Sequence, residues 1–98
     1  MNELIEQFAK TVETQHIERL KAEGLDNEHV LNMYKAKVIP GKKYTKVDLG
    51  SSGKFMIDAE GNIFGIKAYG VIHRGHNYGN LSTINQYDWS DYYPRKVQ

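Results

Sequence analysis

The sequence predicts an α+β fold, in which N-terminal helices pack on one face of an antiparallel sheet of three to five strands, followed by a short C-terminal helix. Apolar residues recur at helical spacing over residues 2–23. Between Lys43 and Tyr69, apolar and charged residues instead alternate along three short runs, as in strands with one buried face. Glycine-rich segments separate these runs and predict tight turns.

The N-terminal part is predicted to contain two helices. The first covers residues 2–23, and its apolar side is formed by Leu4, Ile5, Phe8, Ala9, Val12, His16 and Leu20. Gly24 is expected to end it, because glycine readily adopts the left-handed conformation of a helix C-terminus. Asp26 is the predicted N-cap of the second helix, with Leu25 and Val30 placed as a hydrophobic staple.

The first hairpin is predicted to turn through the three-residue loop Ser51-Ser52-Gly53, with the glycine at positive φ. This register sets Leu49 opposite Phe55 and Val47 opposite Ile57, so that all four side chains face the core. A slip of one residue would expose them, and the pattern therefore resists it.

The second hairpin is predicted to turn at residues 59–62, with Asp58 paired to Ile63. The buried face would then also carry Phe64, Ile66 and Ala68. The exposed face would place Lys54 directly opposite Lys67, between Lys46 and Tyr69. Because like charges across a ladder are destabilising, we interpret this face as one that meets a negatively charged partner.

The C-terminal part has a weaker pattern. It predicts a fourth strand over residues 69–73, a turn at residues 74–77 and a return strand beginning at Tyr78. A short helix is expected near residues 82–88. The aromatic segment from Trp89 to Pro94 is expected to pack back on the sheet.

We expect one domain over residues 1–98, with a helical part (1–37) and a sheet-rich part (42–98), because neither part alone would bury a core. Residues 1–34 contain seven acidic and three basic residues, whereas residues 35–98 contain five acidic and ten basic ones. The absence of cysteine excludes disulfides and thiolate chemistry. No apolar run approaches a membrane span and the acidic N-terminus does not resemble a signal peptide, so a cytoplasmic location without membrane partners is expected.

The sequence predicts no catalytic site, cofactor or metal. The segment Gly50 to Lys54 lacks the glycine spacing and the following Ser or Thr of a phosphate-binding P-loop. His73 and His76 have a spacing that metal sites use, but two more ligands would be needed and Arg74 between them would repel a cation. No serine, threonine or carboxylate belongs to a recognisable catalytic motif.

Basic residues mixed with tyrosines give the strongest functional signal. Cations suit phosphates and aromatic rings suit bases, while tyrosine and arginine also anchor protein interfaces. The alternative is that the tyrosines complete a thin core and leave their hydroxyls in water. The predicted partner-binding residues are Lys46, Lys54, Lys67, Tyr69, Arg74 and Tyr78, with Lys42, Lys43 and Tyr44 nearby.

Residues 44–48, 50–56, 61–70 and 78–84 resemble a family of small hypothetical proteins of phages and bacterial mobile elements. The resemblance covers roughly residues 42–93 and carries no functional residue, because no activity is known for that family. It implies a setting inside a bacterial host cell. It also favours two roles: inhibition of a host defence factor, or handling of nucleic acid.

We therefore predict a non-enzymatic binding protein that acts on a macromolecule. A protein partner, such as a host defence factor, is slightly favoured over DNA or RNA. The alternatives are a nucleic-acid-binding protein that uses a basic, tyrosine-rich sheet face, and a small enzyme of unknown class.

Overall fold

A computed structural model describes residues 2–90 and 94–97 of the chain. Two helices are followed by a five-stranded antiparallel sheet of strand order β1-β2-β3-β4-β5, a 3₁₀ helix and a two-stranded ribbon. The α+β class with a five-stranded antiparallel sheet is thereby confirmed. The elements are α1 (Asn2–Ala22), α2 (Glu28–Met33), β1 (Ala36–Ile39), β2 (Thr45–Leu49), β3 (Ser52–Ile57), β4 (Asn62–Ala68), β5 (Val71–Asn80), the 3₁₀ helix (Leu81–Gln86), β6 (Tyr87–Asp88) and β7 (Arg95–Lys96).

The main core is centred on three aromatic rings. Phe8 of α1 meets Phe55 of β3 edge-on with 5.3 Å between ring centres, and Trp89 lies 4.8 Å from Phe8 and 5.5 Å from Phe55. The Trp89 indole N–H donates to the Ile84 carbonyl at 2.9 Å, so its polar group is satisfied inside the core. The remaining buried members of this cluster are Ile5, Ala9, Val12, Val47, Leu49, Ile57, Ile63 and Leu81.

The junction of the two helices differs from the prediction by one residue. Gly24 ends α1 with φ 73°, as expected. Leu25 N–H then donates to the Leu20 carbonyl and Gly24 N–H to the Lys21 carbonyl, the paired bonds of a Schellman motif. Since Leu25 completes α1, it cannot staple α2, and it is half exposed. The N-cap of α2 is Asn27 rather than Asp26.

The first hairpin has a shorter loop than predicted. Leu49 pairs with Ser52, so Gly50 and Ser51 form the loop, and Gly50 rather than Gly53 has positive φ (60°). Gly50 N–H donates to the Lys35 carbonyl, and a Cβ on Gly50 would lie 2.4 Å from the Met33 carbonyl oxygen. The predicted register is wrong because packing against the end of α2 requires a glycine in this turn.

A β-bulge in β3 keeps Phe55 and Ile57 on the core face, although the turn before them is shorter than predicted. Val47 pairs with Phe55 and Asp48 pairs with Gly53, which leaves Lys54 as the extra residue. Val47 thus opposes Phe55 instead of the predicted Ile57. The displacement is two residues, so both side chains still face the core, as the alternation requires.

In the second hairpin, β4 is shifted by one residue from the predicted register. Its residues that were predicted to face the core and those predicted to be exposed therefore exchange sides. Ile57 pairs with Ile63, and Met56 pairs with Phe64. Ile63 therefore joins the main core and Phe64 lies on the opposite side, the reverse of the prediction. The cause is the loop, in which the Asp58 carboxylate accepts from Glu60 N–H and Asn62 N–H at 3.0 and 2.9 Å.

Three further elements differ from the predictions. β1 occupies Ala36–Ile39, across the expected boundary of the helical part at residue 37. Residues 74–77 form no turn, because β5 runs continuously to Asn80 with an irregular register to β4. The predicted C-terminal helix is a 3₁₀ helix capped by Asn80. Trp89 is fully buried, whereas residues 91–93 of the segment expected to pack on the sheet lie outside the described residues.

The three-ring core predicts that Phe8→Ala lowers the free energy of unfolding by about 3 kcal/mol, because a fully buried aromatic side chain is lost. Leu4→Ala is the matched control on the same helix, since Leu4 is 46% exposed and should cost less than about 0.5 kcal/mol. Urea unfolding measures both. Equal effects of the two substitutions would contradict this account of the core.

The Asp58 loop predicts a pH-dependent contribution to stability. Burial alone would raise the pKa of Asp58, but hydrogen bonds from Asn62 and Glu60 and the charge of Arg74 outweigh it, so the pKa is lowered. A lowered carboxyl pKa stabilises the fold above the unfolded value, and the contribution disappears as the pH falls below about 4. Asp58→Ala should therefore cost about 1–2 kcal/mol at neutral pH and much less near pH 3, by urea unfolding.

The control for this loop is Glu60→Ala, which removes an exposed carboxylate from the same turn. It should change stability by less than about 0.5 kcal/mol at either pH. A cost of Asp58→Ala that stayed constant between the two pH values would show that the charge of Asp58 does not stabilise the loop.

Candidate functional site

The sheet has a second face, opposite the main core, which we call the outer face. One row of paired residues crosses all five strands on this face: Ile39, Lys46, Met56, Phe64 and Asn77. Met56 and Phe64 are only 5% and 7% exposed, although Phe64 reached this face through the shifted register of β4. These two apolar side chains are therefore almost fully covered, although they lie on the face opposite the main core.

Arg74 lies over Phe64, near the β5 end of this row. Its guanidinium carbon lies 5.6 Å from the centre of the Phe64 ring and 5.8 Å from that of Tyr44, and it donates to the Tyr44 hydroxyl. The Lys43 ammonium lies 5.5 Å from the same Tyr44 ring. Two cations thus share one tyrosine, an arrangement that holds aromatic and positive groups together at the surface.

Lys46, Asp48 and Tyr69 form a second group on the outer face. The Lys46 ammonium lies 4.8 Å from the centre of the Tyr69 ring, and the Tyr69 hydroxyl donates to Asp48 Oδ2 at 3.1 Å. Gly53 allows the Tyr69 ring to lie against the backbone of β3, because a Cβ at residue 53 would be only 2.8 Å from that ring. The ring therefore rests on bare backbone, and it is 56% exposed.

Asp48 is unusual because it is buried while half of its carboxylate is unused. The residue is 5% exposed, and within residues 2–90 and 94–97 its Oδ1 has no hydrogen-bond partner. A buried acceptor without a donor costs about 1–3 kcal/mol. Such a group in a native fold calls for an explanation, and a ligand that supplies the donor is one.

Lys54 lies on the other side of the sheet. The β-bulge directs it toward α1, where it borders a cavity of about 280 Å³ with His16, Leu20 and Tyr34. Burial lowers the pKa of its ammonium. Extending the register of Met56 and Phe64 sets Ile66, not Lys67, opposite Lys54. The predicted lysine pair on the exposed face is therefore wrong.

The other predicted site residues are divided between the two faces. Lys46, Tyr69 and Arg74 lie on the outer face. Tyr78 is half-buried on the core side, where its ring centre is 5.9 Å from that of Phe55 and 6.3 Å from that of Trp89. Lys67 is exposed at the end of β4.

His73 and His76 are neighbours in β5, with 4.0 Å between ring centres. Burial, followed by the charges of His76 and Lys67, lowers the pKa of His73. Within the described ranges, no cluster of three or more histidine, cysteine or carboxylate side chains has the arrangement of a metal site. The absence of a bound metal at these histidines stays a prediction.

Sequence reasoning did not select Asp48, Tyr44 or Gly53 as a connected group. Alternation indicated that Asp48 faces outward, but a strand pattern does not report whether an outward carboxylate is buried. Its carboxylate accepts from the hydroxyl of Tyr69, which is 21 residues away and lies against Gly53. Because Gly53 is predicted in the loop rather than in β3, the sequence pattern does not indicate that an aromatic ring lies on this glycine.

The Asp48–Tyr69 hydrogen bond predicts a measurable titration. The bond to Asp48, then burial, then the charge of Asp48 raise the pKa of the Tyr69 phenol. Asp48→Asn should lower this pKa toward the ordinary tyrosine value, as measured by NMR titration of the tyrosine Cζ resonances. Asp58→Asn is the control and should leave Tyr69 unchanged. An unaltered Tyr69 titration in Asp48→Asn would contradict the bond.

Comparison with protein-family models, with curated proteins and with solved structures gave no match. Among the described residues, no helix is long and apolar enough to cross a bilayer.

Proposed function

We propose that the protein is a non-enzymatic binding protein whose outer face binds single-stranded nucleic acid. The observation that supports this most is the pairing of cations with accessible rings, Lys46 with Tyr69 and Arg74 with Tyr44. Bases stack on aromatic side chains while lysine and arginine contact the neighbouring phosphates. Both requirements are met on one side of the sheet.

The arrangement of the two faces supports the same proposal. We propose that α1 and α2 cover the core side of the sheet, which leaves the outer face as the surface for a partner. An antiparallel sheet with exposed aromatic residues offers stacking positions at regular spacing, a strategy that RNA-binding sheets use. In the bacterial or phage setting that the sequence resemblance implies, the strand would be met in the cytoplasm.

A protein partner is the second candidate. Ile39 and Val71 are 37% and 50% exposed, and Ile39 belongs to the same row as Lys46. Exposed apolar residues beside tyrosine and cations are typical of protein interfaces. An acidic surface of a host defence factor would fit. Nucleic acid is favoured here because each tyrosine has a cation within reach of the phosphate beside a base stacked on its ring.

Binding of fluorescein-labelled single-stranded DNA and RNA of mixed sequence tests the proposal by fluorescence anisotropy. Lys46→Ala and Arg74→Ala should each weaken binding and reduce the slope of log affinity against log salt by up to about one. Tyr69→Ala should cost about 1–3 kcal/mol through lost stacking. Lys21→Ala, which removes an exposed cation from α1, is the matched control and should bind nearly as the parent does.

Two results would overturn the proposal. One is the absence of binding by the parent at about 50 mM salt, where phosphate contacts are strongest. The other is an equal effect of Lys46→Ala and Lys21→Ala, which would indicate general charge attraction. Photo-crosslinking from position 71 in a host extract examines the second candidate: one protein product, lost in Lys46→Ala and kept in Lys21→Ala, would support a protein partner.

A further inference from the structure

We propose that the outer face recognises guanine, with the Asp48 carboxylate accepting hydrogen bonds from the N1–H and N2–H groups of an unpaired base stacked on Tyr69. This inference rests on the proposed function and adds base specificity to it. It starts from the unused oxygen of Asp48, which phosphate contacts and stacking alone do not explain.

The hydrogen bonding of Asp48 leaves room for further donors on both carboxylate oxygens. An ionised carboxylate only accepts, and each oxygen can accept two bonds. Tyr69 supplies one bond, to Oδ2, whereas Oδ1 has none from the described residues. A ligand with two adjacent donors would complete both oxygens.

The surroundings of Asp48 limit the class of ligand. Lys37 is paired with Asp48 across the β1–β2 ladder, and Lys46 lies over Tyr69. These two ammonium groups would repel a metal ion or an isolated ammonium group. A ligand that carries donors for the carboxylate together with negative charge for the lysines is favoured, and a nucleotide combines the two.

Guanine is the base whose donors match. Its Watson–Crick edge presents N1–H and N2–H side by side, the spacing that one carboxylate accepts with both oxygens. On the same edge, adenine and cytosine present one amino group next to a ring nitrogen that accepts hydrogen bonds. That nitrogen would face a carboxylate oxygen, and two acceptors repel each other. Uracil and thymine place a single N–H between two carbonyl oxygens. Asp48 would therefore favour guanine over the other bases.

The position of Tyr69 brings the base edge to Asp48. The phenol hydroxyl touches the carboxylate, so a base stacked on the ring has one edge next to Asp48. Because Oδ1 is buried in the free protein, side chains around it must move when the strand binds. Lys46 must also leave the Tyr69 ring, since its ammonium lies over the face on which the base would stack. Its side chain is flexible, and the adjacent phosphate is its natural new partner.

The experiment uses labelled uridine oligonucleotides of about eight nucleotides, within the usual footprint of a single-strand site. Each carries one central guanine, inosine, adenine or cytosine. The guanine oligonucleotide should bind the parent about tenfold more tightly than the adenine one, as expected for a bidentate base contact. Inosine retains N1–H but lacks the N2 amino group, and its affinity should fall between the two.

Two variants locate the preference at Asp48. Asp48→Asn places a donor where the carboxylate accepted, so guanine should lose its tenfold advantage while the adenine oligonucleotide binds at least as well as it binds the parent. Tyr69→Phe keeps the ring for stacking but removes the bond to Oδ2, and should reduce the preference for guanine with little loss of overall affinity. Because Tyr69→Phe removes only a hydroxyl group, it still tests the proposal if Asp48→Asn folds poorly.

The outcomes separate the two proposals. If the parent binds all four oligonucleotides equally, or if Asp48→Asn and Tyr69→Phe both retain the full guanine preference, base recognition by Asp48 is overturned and nucleic-acid binding stands. If the parent binds none of them, both proposals are overturned. Guanine preference in the parent that is lost in Asp48→Asn would establish the site.

Discussion

The contact between Phe8, Phe55 and Trp89 is the interaction on which the rest of the structure depends. These rings come from the first helix, the central strand of the sheet and the segment after the 3₁₀ helix. One cluster thus joins segments that are far apart in the chain. In a chain of 98 residues the core is thin, and a few large side chains supply much of its buried apolar area. Because these rings gather on one side, the other side of the sheet carries a mixed row in which Met56 and Phe64 lie beside Lys46 and Asn77.

Strand register connects this core to the outer face. The bulge at Lys54 and the Asp58 loop each displace a strand, with opposite consequences. The first displacement is two residues and keeps Val47 and Phe55 on the core face, while the bulge moves Lys54 to the core side. The second is one residue and exchanges Ile63 for Phe64. The exchange creates the outer row, since Phe64 supplies the apolar surface on which Arg74 lies.

The outer face combines features that act against stability when taken singly. Asp48 is buried with an unused oxygen, Gly53 weakens a strand, and Tyr69 remains more than half exposed. Together they make a consistent group, because the glycine admits the ring and the ring holds the carboxylate. Local features that cost stability are expected where a surface serves a partner. The lysines around the group are the ones that would contact the anionic partner proposed above.

Local patterns in the chain were enough to predict the helix of residues 2–23, its glycine stop and the three alternating strands. They also grouped Lys46, Tyr69 and Arg74 as basic and aromatic surface residues. These features follow from local periods of 3.6 and 2 residues and from single-residue preferences, which sequence reports directly. The tertiary structure decided the registers, the first strand and the side of the sheet on which Lys54 and Phe64 lie. The reason is physical: a hairpin register depends on contacts such as Gly50 with Met33, between residues far apart in the chain. The hydrogen bond of Asp48 likewise joins it to Tyr69, which is distant in the chain and lies against Gly53.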